Sequence, residues 1–401
     1  MRRRVLAALS AAAVLCLSVV ALAPAAGAAP SSVAGYRNVP VCARAPAGWA
    51  SCFAIRSDPV TAQGAAAPHA AGPSGYTPAD LRSAYELESS TGDGATVAIV
   101  DAYDDPVAEA DLAVYRSEFG LPACTTANGC FRKVSQTGSE TALPPPNAGW
   151  AQEISLDLDM VSAVCPDCHI LLVEAQAPTL DDLAAAVRYA AKQPGVVAIS
   201  NSYGGEDISD PLAAAYDQPG IAVTASTGDS GYGVSAPASF PTVIAVGGTS
   251  MTIGSLGVTE TAWAGAGSGC STANVDPGYQ DEAATLCPGH KATADVSAVA
   301  DPNTGVAVYD SYAVEGYSGW LRFGGTSVSS PIIAGVYAMG TAVSVGDYPG
   351  AVTWSHAGDP TVLGDVTAGR NGVCTPTVWC RGGPGWDGPT GLGSPRGTGA
   401  F

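Results

Sequence analysis

The chain has 401 residues, 47% of them hydrophobic and 13% charged, a balance that excludes wholesale disorder and leaves enough apolar material for a large core. It carries 17 Lys and Arg against 36 Asp and Glu, a formal charge of −19. Phosphate binding needs a basic surface, so this balance argues against nucleic acid as a partner. The 49 Gly and 30 Pro follow no Gly-X-Y period, which excludes collagen and points to many turns and ordered loops.

Residues 1–28 read as a secretory signal peptide. Arg2, Arg3 and Arg4 form a basic start, an apolar stretch runs from Val5 to about Ala23, and Ala26-Gly27-Ala28 is a small-x-small cleavage pattern. A membrane anchor is the alternative, but the apolar stretch runs straight into that cleavable site. No later run reaches the roughly 18 apolar residues a membrane span needs, so a secreted, extracellular chain without membrane contact is expected. Losing three Arg and no acid takes the charge from −19 to −22. Cys16 leaves with the signal. Ten cysteines remain, in close pairs: Cys42/Cys52, Cys124/Cys130, Cys165/Cys168, Cys270/Cys287 and Cys374/Cys380. In an oxidising compartment these read as local disulfides. Zinc or redox chemistry at Cys165-Pro-Asp-Cys168 is the competing reading, without a second CxxC to support it.

Residues 29–74 read as a short prosegment or N-terminal extension, ending in an Ala/Pro/Gly linker, Ala62 to Gly75. From residue 75 to 401 the pattern is α/β. Ala95–Val100, His169–Ala175, Val196–Ser200, Ile221–Ala225 and Val243–Val246 are short apolar, β-branched runs that read as buried strands. Helices are expected over Asp111–Phe119, Trp150–Val164 and Leu180–Ala191. Strands alternating with helices imply a mostly parallel sheet, with the active site beyond the carboxyl ends of its strands.

The sharpest motif is Gly324-Gly325-Thr326-Ser327-Val328-Ser329-Ser330-Pro331. Pro is tolerated in the first turn of a helix, so a helix is expected to start around Ser327 and run to about Thr341. Ser327 then sits at a helix N-terminus after two turn-forming glycines. There the dipole and free N–H groups favour a nucleophilic oxygen and a developing oxyanion. A plain Ser N-cap would explain Ser327 alone but not the whole string.

A nucleophilic Ser normally uses a His base. Of the four His, His69 lies in the N-terminal extension, His169 opens a strand, and His290 and His356 stand in loops. Glu153 and Asp157 offer another base. Four apart on a helix, they share a face, and the residues around them are apolar. Two like charges on a buried face cost energy unless they share a proton, and such a pair makes a general base. Asp159 points another way and reads as structural. Asp229, in Thr227-Gly228-Asp229-Ser230-Gly231 after a strand, is a third acid, able to donate to an oxyanion only when protonated. Asp101 ends the first strand and reads as structural.

An E-x-x-x-D helix, a GDSG loop and a GTSxxxP nucleophile, in that order, resemble the sedolisin family of serine-carboxyl peptidases over about residues 76–401. The resemblance implies a subtilisin-like three-layer α/β fold with a central mostly parallel sheet flanked by helices. It implies Ser327 as nucleophile, Glu153 as base supported by Asp157, Asp229 in the oxyanion hole, and Ser200-Asn201-Ser202-Tyr203-Gly204 in the cleft. Protein or peptide substrates, acid activity and a zymogen are implied with it. It also implies one structural Ca2+, with Asp365 and Asp387 giving carboxylate oxygens and Val366, Gly383 and Gly385 backbone oxygens, a ligand set that suits calcium. A monomer is expected. Two features depart from the family: the short N-terminal region in place of a large propeptide, and the set of local Cys pairs. A catalytically silent secreted binding protein on the same scaffold is the alternative, and a His-dependent hydrolase using Asp101 a third reading.

Overall fold

The computed structural model describes residues 35–401 except 68, 70, 93, 210, 256, 315 and 341–345. The signal-peptide reading of residues 1–28, with Cys16, lies outside the described residues.

In chain order the elements begin with strands β1 (Gly35–Pro40), β2 (Ser51–Cys52) and β3 (Ile55–Val60), then helix α1 (Pro78–Ala84). Strand β4 (Thr96–Ala102), α2 (Ala108–Glu118), β5 (Phe131–Ser135), α3 (Ala148–Val164), β6 (His169–Ala175), α4 (Leu180–Ala190) and β7 (Val196–Asn201) follow. Next come β8 (Tyr203–Glu206), β9 (Ala222–Ser226), β10 (Ser235–Ala236), β11 (Ile244–Gly254), β12 (Gly257–Ala262), β13 (Gly269–Val275), α5 (Asp281–Ala284), β14 (His290–Thr293) and β15 (Val296–Val299). The hairpin β16 (Val306–Val314) and β17 (Tyr317–Gly324) leads into α6 (Thr326–Met339).

The central sheet runs β12-β11-β9-β7-β4-β6-β5, with β15 also on β11. All its pairings are parallel except β11–β12. Side chains alternate across β4: Val97 and Ile99 enter the core on the α1, α2, α3 and α6 side, while Ala98, Val100 and Ala102 enter the core beneath α4. Both faces are therefore covered, which is why these strands read as continuous apolar runs.

Each expected strand and helix of the peptidase-like region is present with ends shifted by a few residues, and β11 extends well past Val246. The five expected disulfides are all formed. Cys165–Cys168 is one of them, so neither sulfur is a thiolate ready for zinc.

The N-terminal extension is built into this body. β1 pairs antiparallel with β3, and β3 pairs with β17, so four strands run β1-β3-β17-β16 beside the central sheet. Between β1 and β3 the chain crosses the carboxyl end of the central sheet, where β2 pairs with β8.

Candidate active site

Ser327 is the second residue of α6 and is fully buried. Gly325 precedes the helix with φ of 98°, a left-handed conformation that favours Gly. A β-carbon there would collide with the Phe53 carbonyl oxygen, so the second glycine of the motif is required by close approach. Pro331 sits one turn deeper than expected, because the helix begins at Thr326 and carries Pro331 inside it. The backbone bond Pro331 lacks would have gone to the Ser327 carbonyl. That oxygen lies 3.4 Å from the Ser202 hydroxyl, whose single proton has its shorter bond to Asp157. The Ser327 hydroxyl donates to the Ser202 carbonyl at 3.2 Å and accepts from the Phe53 N–H at 3.1 Å.

Helix α3 is buried from Trp150 to Val164, so its polar side chains must find partners inside the protein. Asp159 Oδ2 accepts the Tyr309 N–H of β16, the structural role expected of it. Glu153 and Asp157 turn toward Ser327. Asp157 Oδ1 accepts the Ser202 hydroxyl at 2.8 Å, and Glu153 Oε2 accepts the Ala54 N–H at 2.8 Å. The Ser327 hydroxyl is close enough to favour the ionised form of Glu153, although here it donates to Ser202. Glu153 Oε1 and Asp157 Oδ2 meet no hydrogen-bond donor.

Asp101 joins them. Strand parity places position 101 on the same side of β4 as Val97 and Ile99, the side α3 covers. Its side chain is buried, with neither oxygen hydrogen-bonded, and burial pushes it up to about 8. Burial, then the Asp101 charge, raises Glu153 well above the usual carboxylate range. Burial, Asp101 and Glu153 do the same to Asp157. These three acids are buried close enough for the Asp101 charge to raise the other two, with no cation among their named influences, an arrangement that favours a shared proton over separate ionisation. The sequence reading of Asp101 as a strand-end residue missed this convergence; the signal available was its odd-numbered place on β4.

Asp229 follows β9. Its Oδ1 accepts both the Thr326 N–H, at 2.8 Å, and the Thr326 hydroxyl, at 2.9 Å. Burial pushes it up to about 7, against the pull of these two bonds. Its Oδ2 has no donor and lies beside Gly325, at the mouth of the nucleophile helix. A proton held there points where an oxyanion would form. All four candidate residues, Ser327, Glu153, Asp157 and Asp229, thus converge on one site beyond the sheet's carboxyl end.

No histidine serves it. His69 faces Asp58, His169 is exposed at the start of β6, His290 Nδ1 meets the Asn274 carbonyl, and His356 caps the helix Pro349–Ser355. The His-dependent reading therefore loses its base. The adjoining cleft has a volume of about 660 Å³ and is walled by Gly204, Gly205, Asp229, Tyr232, and by Trp49 and Phe53 of the N-terminal extension.

The candidate calcium residues also gather. Asp387 is buried, with Oδ1 accepting the Thr390 N–H and hydroxyl and Oδ2 accepting the Gly383 N–H. Asp365 Oδ2 accepts the Gly385 N–H at 3.1 Å. Burial, with a smaller push from the Asp365 charge, takes Asp387 to about 7. The Val366 carbonyl turns to Gly382 in the same corner. Among the described residues no group of three or more His, Cys, Asp or Glu forms a metal cluster, so a cation here would rest on two carboxylates and backbone oxygens. That hard, all-oxygen donor set fits calcium.

A subtilase family model matches residues 140–350, more than half of the chain. The chain belongs to the subtilase family. This subtilase is 31% identical over 367 residues to kumamolisin of Bacillus sp. (strain MN-32), a match covering 82% of this chain and 63% of that protein. It is 35% identical over 179 residues to sedolisin of Pseudomonas sp. (strain 101), covering 41% of this chain and 29% of that one. The chain thus spans less than two thirds of the length of these relatives. The solved structure of Pseudomonas sedolisin, a serine-carboxyl proteinase complexed with two molecules of pseudo-iodotyrostatin, superposes with a TM-score of 0.69 and 26% identity. That match covers 81% of this chain and 96% of that one. The S41 psychrophilic protease, at 19% identity and a TM-score of 0.54, shares the fold. These relatives place the subtilase in the sedolisin branch and bear out the expected subtilisin-like α/β fold.

Proposed function

We propose that this chain is an exported serine-carboxyl endopeptidase that hydrolyses peptide bonds in proteins or peptides, most effectively in acid. The observation that carries this reading is the convergence of Ser327, at a helix N-terminus, with the proton-sharing pair Glu153 and Asp157, while Asp229 holds a free carboxyl oxygen beside the same helix end.

In the reaction Ser327 Oγ attacks the scissile carbonyl and its proton passes to Glu153. Asp157 and Asp101 keep that proton within the buried acid cluster. Protonated Asp229 donates from Oδ2 to the developing oxyanion. Glu153 then gives the proton to the leaving amine, and water, activated by the same Glu153, releases the acyl group from Ser327. In this reading the cluster keeps one ionised carboxylate in acid, favoured on Glu153 by the Ser327 hydroxyl and the Ala54 N–H. Asp229 works only while protonated, and its value of about 7 ties activity to the acid side.

Asp365 and Asp387, with the backbone oxygens of Val366, Gly383 and Gly385, would hold one calcium ion, which neutralises two close carboxylates and pins the C-terminal loops. The chain acts as a monomer in this reading. Residues 1–28 carry the export signal.

The test is incubation of the purified chain with an unfolded protein from pH 3 to 8, beside Ser327→Ala and Glu153→Gln. Cleavage confined to acid and lost in both variants supports the mechanism. Cleavage at neutral pH that survives Glu153→Gln overturns it. No cleavage at any pH favours a silent binding scaffold.

A further inference from the structure

Ser202 is the single residue between β7 and β8, at the carboxyl end of a central-sheet strand, and is fully buried. Its direction follows from strand alternation: the Ser200 hydroxyl, two positions earlier, meets that of Ser330 on α6 at 3.1 Å, so Ser202 faces the same helix layer. Its neighbours leave it little freedom. Asn201 Nδ2 donates to the Thr224 carbonyl of β9 at 2.8 Å, and the Tyr203 hydroxyl donates to Asn201 Oδ1 at 2.7 Å. From that fixed place Ser202 reaches both the nucleophile and the far member of the base. Its carbonyl accepts the Ser327 hydroxyl at 3.2 Å, and its own hydroxyl donates to Asp157 Oδ1 at 2.8 Å. Asp157 Oδ2 and Glu153 Oε1, by contrast, have no donor among the described residues. An oxygen that already accepts a strong hydrogen bond is the poorer seat for a proton, so Asp157 is left with one oxygen to protonate. Thr326 divides the two oxygens of Asp229 in the same way.

We propose that Ser202 is a positioning residue for the base: its hydroxyl claims Asp157 Oδ1, so the proton that Asp157 shares with Glu153 stays on Oδ2. This rests on the proposed peptidase function. With the proton placed there, Asp157 is the donor and Glu153 the charged acceptor, the arrangement in which Glu153 can take the Ser327 proton. The same bond favours the ionised form of the pair, because a hydroxyl donates more strongly to a charged carboxyl than to a neutral one. It acts against the charged groups that face the pair from other elements, which are acids: Asp101 of β4 and, toward Glu153, Asp229 beyond β9. The nucleophile helix α6 contributes the uncharged Ser327 hydroxyl, and the N-terminal extension the Ala54 N–H. Without the Ser202 hydroxyl the pair should need a higher pH to release its first proton.

The experiment measures kcat and KM from pH 2 to 7 on a peptide without ionisable side chains, for the full chain, Ser202→Ala, Ser202→Thr and Ser202→Cys, with a melting curve for each. In Ser202→Ala the acid limb of kcat should move up by about one pH unit, a loss of about tenfold on the acid side and little on the plateau. KM should stay within about twofold, since the side chain lies on Asp157 and away from the cleft. Ser202→Thr keeps the hydroxyl and should keep the limb. Ser202→Cys, whose S–H is a weaker donor, should place the limb between the two, and it decides the matter if Ser202→Ala does not fold. A limb that stays in place overturns the proposal and leaves the peptidase function standing, whether activity falls at every pH, KM alone rises or Tm alone drops. A limb that moves as far in Ser202→Thr as in Ser202→Ala does the same. Absence of hydrolysis by the wild-type chain, with Ser327 also inert to a fluorophosphonate, overturns both.

Discussion

Asp229 Oδ1 accepts the backbone N–H and the hydroxyl of Thr326 together, which turns Oδ2 alone toward Gly325 and the nucleophile helix. The same contact that fixes the carboxyl in place therefore decides which oxygen carries the proton. An Asn fits this geometry, with its carbonyl on Thr326 and its amide as a donor that no pH removes. Wild-type activity should fall as pH rises through about 7, where Asp229 ionises. In Asp229→Asn that fall should disappear, with acid activity kept within about tenfold, since one oxyanion donor is worth roughly 10²–10³ and here it is retained. A pH profile of kcat for both proteins checks this.

Ser327→Ala and Glu153→Gln should each lower kcat by about 10³-fold or more, the usual scale for losing one member of a nucleophile–base unit. The double variant should be no worse than either single one, because the two residues act as a unit. Gln at 153 keeps an acceptor for the Ala54 N–H, so the fold should hold, as a melting curve would show.

Asp101 bears on the base through charge. Its negative form raises Glu153, so Asp101→Asn should lower the pH at which Glu153 ionises. The acid limb of kcat should move down by about one pH unit, a size ordinary for one close charge. A merely structural Asp101 would change stability and leave that limb in place.

Stability should follow pH in the direction set by raised carboxyls. Burial takes Asp101 and Asp310 to about 8, Asp105 to about 7 and Glu174 to about 9, all above their ordinary values of 3.8 and 4.5. The folded state therefore binds these protons more tightly than the unfolded chain. Their contribution is complete below about pH 4 and is lost as pH rises through 7 to 9. Calorimetry of Ser327→Ala should give a higher Tm at pH 4–5 than at pH 8–9.

A chelator should lower the Tm, since a ligand that binds only the folded state stabilises it, by about 2.7 kcal/mol at a hundred times its Kd. Asp387→Asn should abolish the difference between chelated and calcium-loaded samples. Identical melting with and without chelator, and no calcium by metal analysis, would remove this site.

Much of the site was legible because its signals are local. The spacing of Glu153 and Asp157 places them on one helix face whatever the fold. Two glycines before Thr326-Ser327 mark a sharp entry into a helix, although Pro331 proved to lie inside that helix, with the orphaned Ser327 carbonyl beside the Ser202 hydroxyl. The paired cysteines were readable for the same reason, their loops spanning only 3 to 17 residues. Other features had no local signal. The strands β1 and β3 fell in a stretch read as an extension, since β3, which carries β1, finds its other partner β17 more than 250 residues away.

Apolar alternation, helix spacing and turn residues determine the α/β pattern, the parallel strands and the nucleophile helix, because backbone geometry fixes which neighbours face the same way. Only the tertiary structure brings Asp101 to Glu153 and Asp157, since that depends on α3 lying over one chosen face of β4. It alone lays Phe53 and Ala54 across Ser327, 274 residues further along the chain. No local rule reaches that far: such a contact exists only once packing has offset the entropy of closing so long a loop.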